Sequence, residues 1–186
     1  KYRRIVRTNY RKFVVLLIVS TIPTGIMGFL GAKLIKDASS TLLIPGICLL
    51  ITGVLLLISD RAEDCHKIPK DVTYKEGVLV GIAQGFATLP GLSRSGTTIT
   101  ACLLCGFDRR FAVKYSFILS IPAILGAAVL EISDVGSEVI TGGLVGTYAA
   151  GVIAAALVGY VCIKTMLVVV KNKKFKYFAY YCFAVG

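Results

Sequence analysis

The sequence has too little polar surface for a soluble protein of its length. Of its 186 residues, 17% are charged and 56% are hydrophobic, and the mean hydropathy is +0.80. A soluble domain of this size needs a larger polar fraction to cover its surface. The composition therefore excludes an ordinary soluble domain and predicts an integral membrane protein.

Acidic residues are scarce, since 10 Asp and Glu stand against 21 Lys and Arg, and the formal net charge is +11. The basic residues cluster beside apolar segments, at residues 1–12, 109–114 and 171–176. The positive-inside rule and contact with anionic lipid place them there. No basic stripe with interleaved aromatic residues occurs on a polar segment, so we expect no nucleic-acid partner.

The chain also lacks the residue sets of common metal and redox sites. Its single histidine, His66, lies in a polar loop, and Cys102 and Cys105 form one C-x-x-C pair without a second pair. A zinc site needs more ligands, and a redox motif of this spacing needs a βαβ context. Cysteines in apolar segments behave as small hydrophobic residues. We therefore expect no metal ligands among these residues.

Both ends of the sequence look cut. The first residue is Lys1 rather than Met, and residues 180–186 stop inside an apolar run. The basic start leads into a segment of full spanning length, not into the short apolar region of a signal peptide. We expect a piece of a longer chain, forming a single transmembrane domain.

Apolar segments alternate with polar loops along the whole chain. Segments at about 13–32, 42–59 and 111–130 have the length of membrane-spanning helices, with kinks expected at Pro23 and Pro122. The longer stretch at 143–170 is rich in glycine and alanine, which favours close helix packing. A further span begins at 177 and is truncated at 186. The sequence therefore predicts an all-α polytopic membrane protein.

The remaining apolar region, residues 77–105, is broken in its middle by Pro90 and Gly91. Residues 78–89 would form a helix about 18 Å long, against a hydrocarbon core of roughly 30 Å. The two halves either stack into one broken span or fold back as a re-entrant helical hairpin. Only re-entry keeps the basic clusters on one side of the membrane and the acidic segment 131–138 on the other. We favour the re-entrant hairpin.

The expected hairpin tip carries an arginine among hydroxyl side chains. Arg94 at membrane depth costs about 2.5–3.5 kcal/mol on insertion scales, so something must compensate it. Ser93 is a candidate N-cap. The hydroxyls of Ser93, Ser95 and Thr97, the N–H groups at 95–97, the helix dipole and the guanidinium fork would together suit an anion. The alternative is a kinked helix in which Arg94 snorkels or pairs internally.

The same region lacks any Asp, Glu or His, so it offers no general base and no carboxylate for a metal. Glu76 lies at its polar edge. If the protein is a hydrolase, we expect the missing groups to come from outside this sequence.

The run Pro90-Gly91-Leu92-Ser93-Arg94-Ser95-Gly96-Thr97-Thr98 resembles the Pro-Gly-x-Ser-Arg-Ser-x-x-Thr signature of the bacterial undecaprenyl-diphosphatases, the bacitracin-resistance phosphatases. The flanks at 83–87, 115–117 and 121–122 resemble the family as well. The resemblance implies inverted repeats whose two re-entrant hairpins meet at their tips within the membrane. This sequence would hold the second repeat. The first, with a Glu-rich motif and a histidine, would precede it, and the present piece alone would be inactive.

Carried onto this sequence, the resemblance implies three catalytic residues that bind or attack the pyrophosphate: Ser93, Arg94 and Ser95. It implies contacts with the substrate from Gln84, Gly91, Gly96, Thr97 and Thr98. A serine nucleophile and a serine that only binds phosphate both stay open. A divalent cation, Mg²⁺ or Ca²⁺, is implied, with its ligands outside this sequence.

The implied reaction converts undecaprenyl diphosphate into undecaprenyl phosphate and inorganic phosphate in the bacterial inner membrane, which recycles the lipid carrier of cell-wall synthesis and gives bacitracin resistance. The alternative is a transporter or flippase of anionic or lipid-phosphate substrates, because broken helices from inverted repeats also build transport sites. The partners expected are the polyprenyl diphosphate lipid and the membrane. Whether the protein is a homo-oligomer stays open.

Overall fold

The computed structural model describes residues 2–62, 65–135 and 142–186, and within these ranges every regular element is a helix. The helices are α1 (Tyr2–Leu30), α2 (Ala32–Ser39), α3 (Leu43–Arg61), α4 (Tyr74–Phe86), α5 (Arg94–Leu104), α6 (Arg109–Val135), α7 (Gly142–Lys171) and α8 (Lys176–Val185).

Four of the described helices are long and apolar enough to cross a membrane. Their apolar parts are Tyr10–Leu30, Leu43–Arg61, Arg109–Val129 and Gly146–Val170. Each has the length of about 20 residues that a bilayer requires. The predicted class, an all-α polytopic membrane protein, is therefore confirmed.

Several local features differ from expectation. The short helix α2 was not anticipated, because its Lys33 and Asp37 interrupt the apolar pattern. Helix α6 continues past residue 130 to Val135, so the beginning of the acidic segment 131–138 is helical and not a loop. The remainder of that segment lies outside the described residues, as does Lys1. Helices α1 and α6 both continue through their internal prolines.

The two half-helices of the predicted hairpin lie side by side and bury their shared surface against α1, α3 and α6. At their outer ends, an aromatic cluster fills the junction between α1 and α6. The rings of Phe107 and Phe111 stack with centroids 5.1 Å apart, and Tyr115 meets Phe107 edge-on at 5.7 Å. Phe13 of α1 joins the same cluster. This packing fixes the end of α5 relative to α6.

Close backbone packing joins α4 to α1. The glycines of α4 recur every fourth residue, and a Cβ at Gly81 would overlap the backbone of Ser20. The approach allows two hydroxyls of α1 to donate to α4 carbonyls, Ser20 to Gly77 at 2.6 Å and Thr24 to Gly81 at 2.8 Å. Small residues at a helix interface permit this contact.

The glycine-rich helix α7 does not show the close packing that its composition suggested. A Cβ at Gly146, Gly151 or Gly159 would meet nothing within 4 Å. Among the described residues, tight glycine contacts therefore lie on α4, and not at these three positions of α7. The pattern that distinguishes α4 is the spacing of its glycines on one helix face, whereas glycine content alone favoured α7.

The outer ends of α4 and α5 meet at one side chain. The Lys67 ammonium donates to the carbonyl of Cys105 at 2.9 Å and pairs with Glu76 in the first turn of α4. The backbone of Lys67 also bridges Phe107. The two helices are therefore folded back on each other. That the pair enters and leaves the membrane at one face stays a prediction.

This ion pair changes the acidity of both partners. The hydrogen bond to Glu76 raises the pKa of Lys67, and the charge of Glu76 adds to it. Burial by itself would raise the pKa of Glu76, but hydrogen bonds from Lys67 and Thr73 outweigh it, so that pKa is lowered. Both groups are therefore held in their charged forms.

One residue of the predicted basic clusters is not a surface charge. Arg109 is 7% exposed, and its guanidinium donates to the carbonyls of Ser59 and Ala62 at 3.2 and 2.7 Å. These carbonyls lie at the end of α3, where the last turn has no helical donors of its own. Arg109 therefore joins α6 to α3, and its charge is a weak guide to membrane orientation.

Candidate functional site

The turn between α4 and α5, residues 87–93, is shaped by a close approach to α3. Gly91 has φ +87°, and a Cβ there would overlap the carbonyl oxygen of Pro45. A residue with a side chain would be strained by its dihedral and would collide with α3. Glycine is therefore required at this position for both reasons.

The start of α5 is capped as the sequence predicts. The Ser93 hydroxyl accepts the N–H of Gly96 at 3.2 Å, and the Ser93 carbonyl accepts the N–H of Thr97 at 2.9 Å. These two N–H groups are therefore engaged within the chain, and the expected contact of this helix start with an anion stays a prediction. The N–H groups of Arg94 and Ser95 have no partner among the described residues. They are the free donors at this helix start.

The Arg94 guanidinium is partly buried, and in the part of the chain that the structure describes it donates no hydrogen bond and forms no ion pair. It lies between two cavities. One, of about 480 Å³, is also lined by the hydroxyls of Ser95, Ser116 and Ser120. The charge and the N–H donors of Arg94 thus have no partner among the described residues. They lie beside a cavity that three serines help to line.

A second cavity lies beside Arg94 on the side of α1. It measures about 530 Å³ and lies between α1 and α6. Three threonines line it near the arginine: Thr21, Thr24 and Thr88. The rest of its wall is apolar, including Phe29 and Pro122. Both cavities beside Arg94 therefore combine three hydroxyl side chains with apolar residues.

In the part of the chain that the structure describes, Ser93 and Ser95 line different cavities. Ser93 lines a third space of about 390 Å³, together with Thr52, Phe175 and Cys182. Side chains two positions apart on a helix point in different directions. The structure therefore brings Arg94 and Ser95 together and places Ser93 elsewhere. The catalytic roles predicted for the three residues stay predictions.

The other predicted contact residues are mostly engaged within the protein. Gln84 is fully buried and its amide nitrogen donates to Thr24 at 3.4 Å, while its Oε1 has no partner among the described atoms. Thr98 is also fully buried; it donates to the Arg94 carbonyl at 2.9 Å and bonds to Ser116. Thr97 is 8% exposed, with an unpartnered hydroxyl. These threonines and Gln84 line neither of the Arg94 cavities.

Two residues near the tip were not given a role from the sequence. Thr52, on α3, accepts the N–H of Ser93 at 3.0 Å. Ser116, on α6, bonds to Thr98. Ser116 lies in the segment 115–117, whose resemblance to the family indicates that this serine could have a role. For Thr52 the only signal was a hydroxyl inside an apolar span, and such residues often bond only to their own helix.

The residues present do not form a site for the implied divalent cation. Within the described ranges, no three His, Cys, Asp or Glu side chains lie close enough together to hold a metal ion. The cavities beside Arg94 are lined by hydroxyls, apolar groups and the guanidinium itself. Mg²⁺ and Ca²⁺ prefer carboxylate and carbonyl oxygens. The described residues therefore do not fit such an ion by themselves.

The fold and the tip geometry define a polytopic membrane protein with an arginine, unpaired among the described residues, at the start of a half-helix. Free N–H groups, a helix dipole and a guanidinium fork are together suited to anionic oxygens. Comparison with known sequences agrees with this class. Residues 1–186 match the family described as Bacitracin resistance protein BacA, and the chain belongs to that family.

Curated relatives carry the name undecaprenyl-diphosphatase. The protein of Alkaliphilus metalliredigens is 44% identical over 182 residues, which cover 97% of this chain and 66% of that relative. The protein of Methanosphaera stadtmanae is 40% identical over 188 residues, covering 99% and 66%. The chain spans about two thirds of the length of these two relatives. The relative from Methanothermobacter thermautotrophicus is 42% identical over 176 residues, covering 92% of this chain and 95% of its own.

Proposed function

We propose that this chain belongs to a membrane phosphatase that hydrolyses undecaprenyl diphosphate to undecaprenyl phosphate and inorganic phosphate. The observation that carries the proposal is the Arg94 guanidinium, unpartnered among the described residues and placed beside free N–H groups and hydroxyls. The names of the curated relatives supply the substrate. The protein would act in the bacterial inner membrane, where it recycles the cell-wall lipid carrier and gives bacitracin resistance.

The reaction breaks the bridging P–O bond of the diphosphate and adds water across it. Negative charge spreads over the oxygens of the transferred phosphoryl group, and catalysis consists mostly of positioning and electrostatic stabilisation. Arg94 would donate two parallel N–H bonds to two of these oxygens. The N–H groups of Arg94 and Ser95 would add donors that are already oriented.

The geometry favours Ser95 over Ser93 as the hydroxyl that meets the same phosphate as Arg94. Ser95 shares the cavity of about 480 Å³ with the guanidinium, whereas Ser93 lines the other cavity and caps α5. Ser95 would serve as nucleophile or as phosphate ligand. Ser93 would act by holding the start of the helix.

The general base and the divalent cation belong to the proposal but not to these residues. Mg²⁺ or Ca²⁺ would help neutralise the diphosphate, with ligands from outside the described part of the chain. A chelator such as EDTA should abolish phosphate release, and added Mg²⁺ or Ca²⁺ should restore it.

The experiment is phosphate release from undecaprenyl diphosphate by the protein expressed from its complete coding sequence. We expect wild-type release and a severe loss in Arg94→Ala and Ser95→Ala. Arg110→Ala is the matched control, because Arg110 is an exposed arginine outside the cavities. If the wild-type protein releases no phosphate but moves the lipid between leaflets of a vesicle, the flippase alternative replaces the phosphatase.

A further inference from the structure

The first turn of α5 has a backbone donor that its own sequence cannot satisfy. In α4 the capping box is complete: the Thr73 hydroxyl accepts the N–H of Glu76 at 3.3 Å, and the Glu76 carboxylate accepts the N–H of Thr73 at 2.7 Å. In α5 the residue at the equivalent position is Gly96. Glycine has no side chain to reach back, so the N–H of Ser93 needs another acceptor.

Thr52 of α3 supplies that acceptor. Its hydroxyl oxygen accepts the N–H of Ser93 at 3.0 Å. The same oxygen lies 2.9 Å from the Cys48 carbonyl oxygen of its own helix and 3.2 Å from the Gly91 carbonyl oxygen. The hydroxyl can therefore donate to either carbonyl. Thr52 is 2% exposed. One buried hydroxyl thus contacts the chain both before and after Leu92.

We propose that Thr52 is a positioning residue, closing from α3 the capping box that α5 leaves open. The contact with Thr52 fixes the peptide before Ser93. The orientation of that peptide sets the direction in which α5 begins. Arg94 and Ser95 follow directly, so their placement toward the cavities depends on this contact. The inference rests on the proposed function for its effect on turnover, and on the hydrogen bonds alone for its effect on the turn.

Removing the hydroxyl leaves a part-buried N–H without its acceptor, which is costly. The strain is relieved when the peptide between Leu92 and Ser93 rotates, and that rotation moves the start of α5. Thr52→Val removes the hydroxyl and keeps the shape of the side chain. Thr52→Ser keeps the hydroxyl and removes only a methyl group.

Thr100 provides a matched control. It also joins α5 to α3, donating to the Leu55 carbonyl at 3.2 Å and to the Gly96 carbonyl at 2.7 Å, and it is 1% exposed. It accepts no N–H from residues 87–93. Thr100→Val therefore removes a buried hydroxyl between the same two helices without touching the turn.

The first measurement is turnover of undecaprenyl diphosphate by the complete protein. We expect kcat to fall about tenfold in Thr52→Val, since a part-buried N–H left without its acceptor costs up to about that factor in equilibrium, with KM changed less than about twofold. Thr52→Ser should restore most of kcat, and Thr100→Val should retain it. An unchanged kcat in Thr52→Val, or an equal loss in Thr52→Ser or Thr100→Val, would overturn the proposal.

The second measurement does not depend on activity. Hydrogen exchange of the Ser93 amide should be fast in Thr52→Val and slow in the wild type, Thr52→Ser and Thr100→Val. Equal protection in all four proteins would overturn the proposed role of Thr52 even if turnover changed. If the wild type hydrolyses no diphosphate, the proposed function fails while this measurement still decides the role of Thr52.

Discussion

Arg94→Lys separates a bidentate phosphate clamp from a simple positive charge. Lysine keeps the charge but has one nitrogen, so it cannot donate two parallel N–H bonds to two phosphate oxygens. The Arg94 guanidinium donates no hydrogen bond to the described residues, so the change removes no internal partner. We therefore expect normal amounts of folded protein in the membrane and an unchanged melting temperature.

The expected loss is catalytic. A donor placed on developing charge is typically worth about 2.7–4 kcal/mol, or roughly a hundred- to a thousandfold in kcat. The assay is release of inorganic phosphate from undecaprenyl diphosphate by purified Arg94→Lys, with Arg110→Lys as the control. If Arg94→Lys kept more than half of the wild-type turnover, a point charge would suffice. If its melting temperature fell sharply, the guanidinium would have a structural partner and the reasoning from its free donors would be wrong.

Three further outcomes are expected. Gly91→Val should cut turnover by about tenfold or more and lower the melting temperature, because valine is strained at positive φ and collides with α3; wild-type turnover would show that the turn tolerates another shape. Single cysteines at Glu76 and Asp108 should react with a membrane-impermeant thiol reagent from the same face, and labelling from opposite faces would exclude the re-entrant topology. The lowered pKa of Glu76 means that its pairing with Lys67 stabilises the fold fully above the ordinary value of 4.5 and is lost as the pH falls through the lowered value. Because the pKa of Lys67 is raised, the pairing also stabilises the fold at every pH up to 10.5, the ordinary pKa of lysine. This stabilisation is lost as the pH rises through the raised pKa. The melting temperatures of wild type and Glu76→Gln should thus differ near neutral pH and converge in acid; a constant difference would contradict the pairing.

The sequence predicts what depends on neighbours along the chain. Proline lacks an N–H and glycine tolerates unusual dihedrals, so the break at Pro90 and Gly91 follows from local chemistry. The Ser93 cap is likewise local, because its donor lies within one turn of the same helix. These features place the tip and the start of α5 without knowledge of any other helix.

What the sequence does not predict depends on packing between distant segments. Thr52 and Ser93 are 41 residues apart, and no local pattern indicates that α3 supplies an acceptor to α5. The separation of Ser93 from Ser95 has a similar cause, since α3 and α6 form different cavities on the two sides of the turn. The signature groups these serines by sequence, whereas the packing separates them in space.

The Lys67 contact also bears on how the protein reaches its membrane. Helices α4 and α5 have 13 and 11 residues, which is less than the roughly 20 that an insertion channel accepts as one span. Neither would leave the channel for lipid by its own hydrophobicity. Their outer ends become joined only once Cys105 has been synthesised, and the aromatic contacts of Phe107 need Tyr115 from the following helix. We therefore expect this pair to pack after the helices around it have inserted, and variants that weaken the Lys67 contact to accumulate as inserted but protease-sensitive chains.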